Sequence, residues 1–225
     1  VRAGERGEGE GVEVVPATQP FLTGFEGEER RRDLSQFYTP PHVAARMWRW
    51  ACPPSSRRLT VLEPAAGRGA LILPMLTDTT RPKPVRIVAY EVDPGNVEAL
   101  LALAKEHPEI EVRARDFRAD DDPGRFDLCQ QNPPYEDSQD FDFILRSLRV
   151  SRQTVALVRS AIEHGQNRWN EFTRHVEQRR KVNFIERPSF GGEDSPKTDF
   201  KILDLCPRRR PLMRGEPTTV NQEWW

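Results

Sequence analysis

The chain is poor in cysteine and lysine and has no long apolar run. Its three cysteines, Cys52, Cys129 and Cys206, stand far apart with no CxxC and no Cys/His spacing. That excludes a disulfide framework and argues against structural zinc, so no metal is expected. No apolar stretch approaches the ~18 residues that span a bilayer, and the first residues lack an apolar signal core. The expectation is a cytoplasmic protein that neither spans nor crosses a membrane. Only five residues are lysine (83, 105, 181, 197 and 201) among 34 Lys+Arg. Arginine favours planar, bidentate contacts to phosphate and carboxylate, although GC-rich coding produces the same bias. With 35 Asp+Glu the formal net charge is −1, which excludes a polybasic protein but not a local basic face. Proline, by contrast, is plentiful at 20, so part of the chain is loop or tail.

Residues 1–30 hold six of the 14 glycines and seven acids, and read as a flexible acidic leader. Residues 31–225 read as one domain. Pro41–Trp50 patterns as a short amphipathic helix. Strand-like runs occur at 59–62, 85–90, 110–114, 126–130 and 154–158, with two later ones at 182–186 and 199–205. Helical stretches fall at 70–76, 96–106, 141–148 and 167–178. This alternation predicts parallel βαβ units and hence a doubly wound α/β sheet. A polar cluster follows each of the first four strands, at the ends where open α/β sheets form their ligand crevice.

The first strand runs into Glu63-Pro-Ala-Ala-Gly67-Arg-Gly69. Two glycines permit a tight turn and close approach of backbone to a ligand, and the next helix offers N–H groups to an anion. No GK[ST] follows, which excludes a triphosphate P-loop, and Ile72 stands where GxGxxG has its third glycine. The pair alone is equally compatible with a simple turn. Glu91 ends the second strand, where a carboxylate can accept both hydrogen bonds of a ribose diol. Asp116 ends the third, where a carboxylate can accept from the exocyclic amine of an adenine. Together these outline an adenosine-shaped site. The fourth strand ends in Asn132-Pro133-Pro134-Tyr135. Two prolines stiffen the turn and remove two N–H donors. Such a turn can present the Asn132 side-chain oxygen and the Pro133 carbonyl to an NH₂, leaving the nitrogen lone pair aimed at an electrophile. Tyr135 can then stack on the ring that bears the amine.

In Gln36-Phe-Tyr-Thr-Pro-Pro41, Leu62–Gly69, Tyr90-Glu-Val-Asp-Pro94, Asp116-Phe117 and Phe126-Asp127 through Tyr135, the sequence resembles the S-adenosylmethionine-dependent amino methyltransferases. Within them it is most similar to the DNA N6-adenine enzymes. The likeness covers residues 33–137 and weakens beyond. It implies a Rossmann-like methyltransferase fold with a seven-stranded, mostly parallel sheet and helices on both faces. It implies S-adenosyl-L-methionine as cofactor, and transfer of its methyl group to the N6 amine of an adenine flipped out of DNA. By the same resemblance Tyr38, Thr39, Glu63, Ala65 and Gly67 hold the methionine portion, and Glu91 the ribose. Asp116 and Phe117 contact the cofactor's adenine. Asn132, Pro133, Pro134 and Tyr135 grip the target base. Phe190, beside Gly191-Gly192, is the expected second aromatic wall, with Phe184 its rival but patterned as core. Relatives often read Asp-Pro-Ala-Cys where this chain has Glu63-Pro-Ala-Ala. Residues 31–225 are then a single catalytic domain without a large separate target-recognition domain, leaving specificity to loops.

Cys129 patterns as a strand residue rather than a nucleophile. Cys52 and Cys206 each precede a proline, the reverse of the Pro-Cys order used in cytosine-C5 methylation. Residues 142–190 carry ten Lys/Arg against five acids, followed by Arg208, Arg209, Arg210 and Arg214, a balance that suits phosphate contacts. Two other readings compete. One is an RNA or protein-glutamine amino methyltransferase, against which Tyr38-Thr39-Pro40 counts. The other is a non-catalytic nucleic-acid-binding module, against which the intact Asn132–Tyr135 turn counts.

Overall fold

The computed structural model describes residues 39–51, 58–135, 139–163, 166–184, 199–213 and 221–224. The leader at 1–30, Tyr38 and Phe190 lie outside the described residues. In chain order the elements are α1 (Pro41–Trp50), β1 (Thr60–Glu63), α2 (Ile72–Thr77), β2 (Arg86–Tyr90), α3 (Pro94–Glu106) and β3 (Ile110–Arg113). Then come β4 (Phe126–Gln131), α4 (Gln139–Val150), β5 (Ser151–Arg159), α5 (Gln166–His175), β6 (Val176–Asn183), β7 (Phe200–Pro207) and β8 (Asn221–Trp224).

Local chemistry accounts for the helix starts. Proline at the first position of α1 and α3 supplies a preset φ where an N–H is not needed. Asp93 caps α3 by accepting from the N–H groups of Gly95 and Asn96 at 2.9 and 3.1 Å, an arrangement of about 1 kcal/mol. Helix α1 buries Val43, Ala44, Met47, Trp48 and Trp50, each large apolar chain gaining about 1.5–3 kcal/mol on leaving water. This apolar stripe packs with Val61, Ile87 and Leu128 on one face of the sheet. Leu62, Val88 and Cys129 point to the other face, among Phe117, Phe126 and Phe143.

The sheet runs β3-β2-β1-β4-β5-β7-β6-β8. Every pairing is parallel except those of β7, which runs antiparallel to β5 and β6. The chain steps outward from β1 to β3, then returns to lay β4 on the free side of β1. The tips of β1 and β4 thus flank the topological switch point, where such sheets open their crevice. The seven expected strands are all present, and β8 adds a short edge strand that the sequence pattern did not announce. Strand β6 also begins at Val176, well ahead of the expected 182, and α5 ends at His175 rather than 178. The polar run Glu177–Lys181 conceals this strand, and a bulge between Gln178 and Arg180 breaks its alternation.

Candidate functional site

Past Glu63 the backbone turns through Gly67 at φ 55 and Gly69 at φ 84, conformations that carry little penalty only for glycine. A Cβ on Gly69 would also come within 3.3 Å of Leu100 and Leu103 of α3. The turn is locked to the tip of β2: the Ala66 N–H donates to the Tyr90 carbonyl at 2.8 Å, and the Gly67 N–H to Glu91 Oε2 at 2.7 Å. The other oxygen of Glu91 accepts from the N–H groups of Val92 and Asp93 at 2.8 and 2.7 Å. Glu91 therefore joins two strand tips, and Ala65 and Gly67 lie on the joined loop.

Glu63 is 1% exposed, and its Oε2 has no hydrogen-bond partner. Burial, and then the negative charge of Glu91, push its carboxyl well above the usual range. Leu62 pairs with Cys129 across β1 and β4, so the same register brings Gln130 beside Glu63. Gln130 is fully buried with both amide atoms unpartnered. A polar residue late in a central strand was the signal for this group, and the sequence reading passed over it. Orphaned donors and acceptors at this depth cost on the order of 1–3 kcal/mol each unless a ligand takes them.

At the tip of β3, Asp116 accepts from the Arg118 N–H at 2.7 Å, and the Arg118 guanidinium closes on the same carboxylate at 2.7–3.2 Å. Burial pushes the Asp116 carboxyl up, but these contacts outweigh it and hold the group below its ordinary value. The Phe117 side chain turns into the core. It is fully buried, edge-on to Tyr90 at 5.2 Å and beside Phe143 at 6.1 Å. The tight 3₁₀ turn at Phe117–Ala119 directs that ring into the core, so it can meet a ligand only through its backbone.

Across the switch point, Asn132 donates from Nδ2 to Thr39 Oγ1 at 3.0 Å, joining residues 93 positions apart. The Tyr135 hydroxyl donates to Asn132 Oδ1. Tyr135 is 5% exposed, and burial, with the Asp140 charge behind it, pushes its phenol well up. Its ring packs on Phe200 at 5.3 Å, with the Arg159 guanidinium 5.5 Å over it. The ring expected to stack on a base is therefore covered by the protein's own side chains. Pro133 is buried and Pro134 half-buried within this turn. Phe184 is partly buried against the main core, as expected of it. Cys129 is fully buried, which raises its thiol far from nucleophilic use. Some cations of the basic stretch have acidic partners: Arg180 pairs with Asp204, Lys181 with Glu163, and the exposed Arg152 reaches Asp127.

No family model matches the chain. It is 32% identical over 119 residues to the type II methyltransferase M.AccI of Acinetobacter calcoaceticus, covering 51% of this chain and 20% of that protein. It is 30% identical over 195 residues to an rRNA adenine N-6-methyltransferase of Streptomyces fradiae, covering 81% of this chain and 58% of that protein. The chain thus spans less than two thirds of either relative. Among solved structures, the methyltransferase subunit of a type I restriction-modification system from Streptococcus thermophilus superposes with a TM-score of 0.62 at 15% identity, over 77% of this chain and 45% of that one. The fold is the Rossmann-like methyltransferase fold.

Proposed function

We propose that the chain transfers a methyl group from S-adenosyl-L-methionine to the N6 amine of adenine in DNA. The observation that carries this reading is the adjacency of the Asn132–Tyr135 turn to the Gly67 loop across β1 and β4, with Thr39 bonded to Asn132. The residues present fit the cofactor. A buried Glu63 carboxyl and an unpartnered Gln130 amide offer an acceptor and a donor–acceptor pair, the complement of an amino-acid zwitterion beside a sulfonium. Glu91 and Asp116 stand at the next two strand tips for ribose and adenine, and the Phe117 backbone follows. Tyr38 belongs to the same set by sequence.

When bound, the cofactor supplies an electrophilic methyl group on sulfur. Asn132 Oδ1 and the Pro133 carbonyl accept the two amine hydrogens of the target and hold its lone pair in line, and Pro134 stiffens the turn. Tyr135, with Phe190 as second wall, stacks on the flipped base, each contact offsetting part of the flipping cost by about 1–3 kcal/mol. Alignment of nitrogen, methyl and sulfur can lower the barrier by up to ~7–11 kcal/mol, so no covalent enzyme intermediate is required. Residues 31–225 act as one catalytic domain in this reading.

A second substrate has its own support. The longer of the two curated matches is to an enzyme named for rRNA adenine, which favours RNA as the alternative acceptor. Transfer of labelled methyl to DNA duplex, RNA and protein, followed by nucleoside analysis, decides between them. Label in N6-methyladenine of DNA supports the proposal, label confined to RNA replaces the acceptor, and label on protein alone or nowhere defeats it.

A further inference from the structure

Arg159 ends β5, the strand beside the Asn132 turn. Its guanidinium lies 5.5 Å over the Tyr135 ring, against which it forms a cation–π contact. Its only carboxylate contact among the described residues is long, from Nη2 to Asp140 Oδ2 at 3.4 Å. Asp140 closes no fork on it: its other oxygen accepts from the Phe141 N–H at 3.0 Å. Arg159 Nε is buried and has no hydrogen-bond partner among the described residues. The side-on Nε–Nη edge, the one that matches a bidentate oxyanion, is thus half empty. Meanwhile one face of the ring is occupied by this guanidinium, and the Tyr135 hydroxyl sits on the Asn132 oxygen that the proposed reading gives to a target amine.

Resting on the acceptor site proposed above, we infer that Arg159 holds the place of the target base on Tyr135 and, once the base enters, pairs side-on with a phosphodiester of the flipped nucleotide's strand. A planar guanidinium and a planar base are alternatives on one ring face. The displaced cation then finds in phosphate the two-point acceptor that Asp140 does not provide. Arg159 is a positioning residue: it touches the strand rather than the reacting atoms.

The test uses the adenine site identified by the labelled-methyl assay, carried on a fluorescent oligonucleotide duplex, with binding measured against salt. For wild type and Arg159→Gln, the plot of log affinity against log salt should differ in slope by about 0.9, the loss of one phosphate contact. Arg159→Lys should recover that slope. In turnover, KM for the duplex should rise about tenfold in Arg159→Gln, the size of one charge-assisted contact, with kcat little changed. Asp140→Asn removes the charge that tethers Arg159, keeps an acceptor for Phe141, and should lower KM; it also tests the idea should Arg159→Gln fold poorly. Equal salt slopes with unchanged KM in Arg159→Gln, or a raised KM in Asp140→Asn, overturn the inference while leaving the methyltransferase reading intact. A wild-type protein that methylates no nucleic acid overturns both.

Discussion

On the cofactor side of the crevice, contacts are short in sequence. Glu91 takes the N–H groups of its next two residues, and Asp116 is closed by Arg118 two positions on. Separate units are joined there by the links of the glycine turn to the tip of β2, Ala66 to Tyr90 and Gly67 to Glu91, each 24 residues apart. On the acceptor side almost every contact is long. Thr39 meets Asn132 across 93 residues, Tyr135 packs on Phe200 from β7, and Arg159 arrives from β5. In the proposed reading, the first half is a set of strand–turn units that each offer one ligand contact. The second exists only when the segment before α1 and the ends of β4, β5 and β7 have assembled. Its aromatic and polar groups mostly meet one another, with Arg159 Nε left over, whereas on the cofactor side the buried Glu63 Oε2 and Gln130 amide lack partners among the described residues. In the proposed reading the acceptor half must exchange partners to work.

The largest effect that would sharpen this contrast is expected at Phe117. Replacing this fully buried ring by alanine should cost about 3–5 kcal/mol of stability, read by denaturant unfolding, with cofactor affinity of the folded fraction little changed. A stable variant with lost affinity would return Phe117 to the ligand surface. Next, Asn132→Ala should lower the single-turnover methylation rate by about 10²–10³, as for loss of one oriented polar group at a developing charge, while calorimetry finds cofactor affinity intact. Parallel losses in both would mean that the two halves are not separable. Glu91→Ala should weaken binding of the cofactor or its demethylated product by about 1.5–3 kcal/mol and leave duplex affinity nearly unaltered; the reverse pattern would break the assignment of sides.

The smallest effect concerns Glu63. Its carboxyl is raised in the folded protein, so the folded state binds more protons than the unfolded one between the ordinary and the raised value. Its contribution to stability is therefore greatest at acid pH and declines as pH rises through that window. Glu63→Gln should remove this dependence, so that the variant's thermal midpoint gains on wild type as the pH is raised. A constant difference across the range would mean that Glu63 is not protonated when buried.

Much of the cofactor half was legible because its chemistry is local. A glycine pair after an apolar strand, and an acid at each following strand end, can be read without knowing what packs on them. The direction of the Phe117 ring was not legible, because adjacency to Asp116 says nothing about which way a ring turns. Gln130 was missed because its significance comes from being buried beside Glu63, which only the β1–β4 register reveals. The covering of Tyr135 could not be read either, since Arg159 and Phe200 are opposite partners in the antiparallel β5–β7 pair, a pairing invisible to local pattern.

By itself, then, the amino-acid order determined the alternation of strands and helices, the glycine turn, the acids at strand tips and the stiff Asn-Pro-Pro-Tyr turn. These follow from backbone stereochemistry and apolar periodicity acting over a few residues. Tertiary structure alone decided which of those groups face one another, which carboxyl lies buried, and what occupies the ring of Tyr135. Strand order and register bring remote side chains within a few ångströms, and at that range desolvation and hydrogen bonding, rather than sequence neighbours, set each group's state.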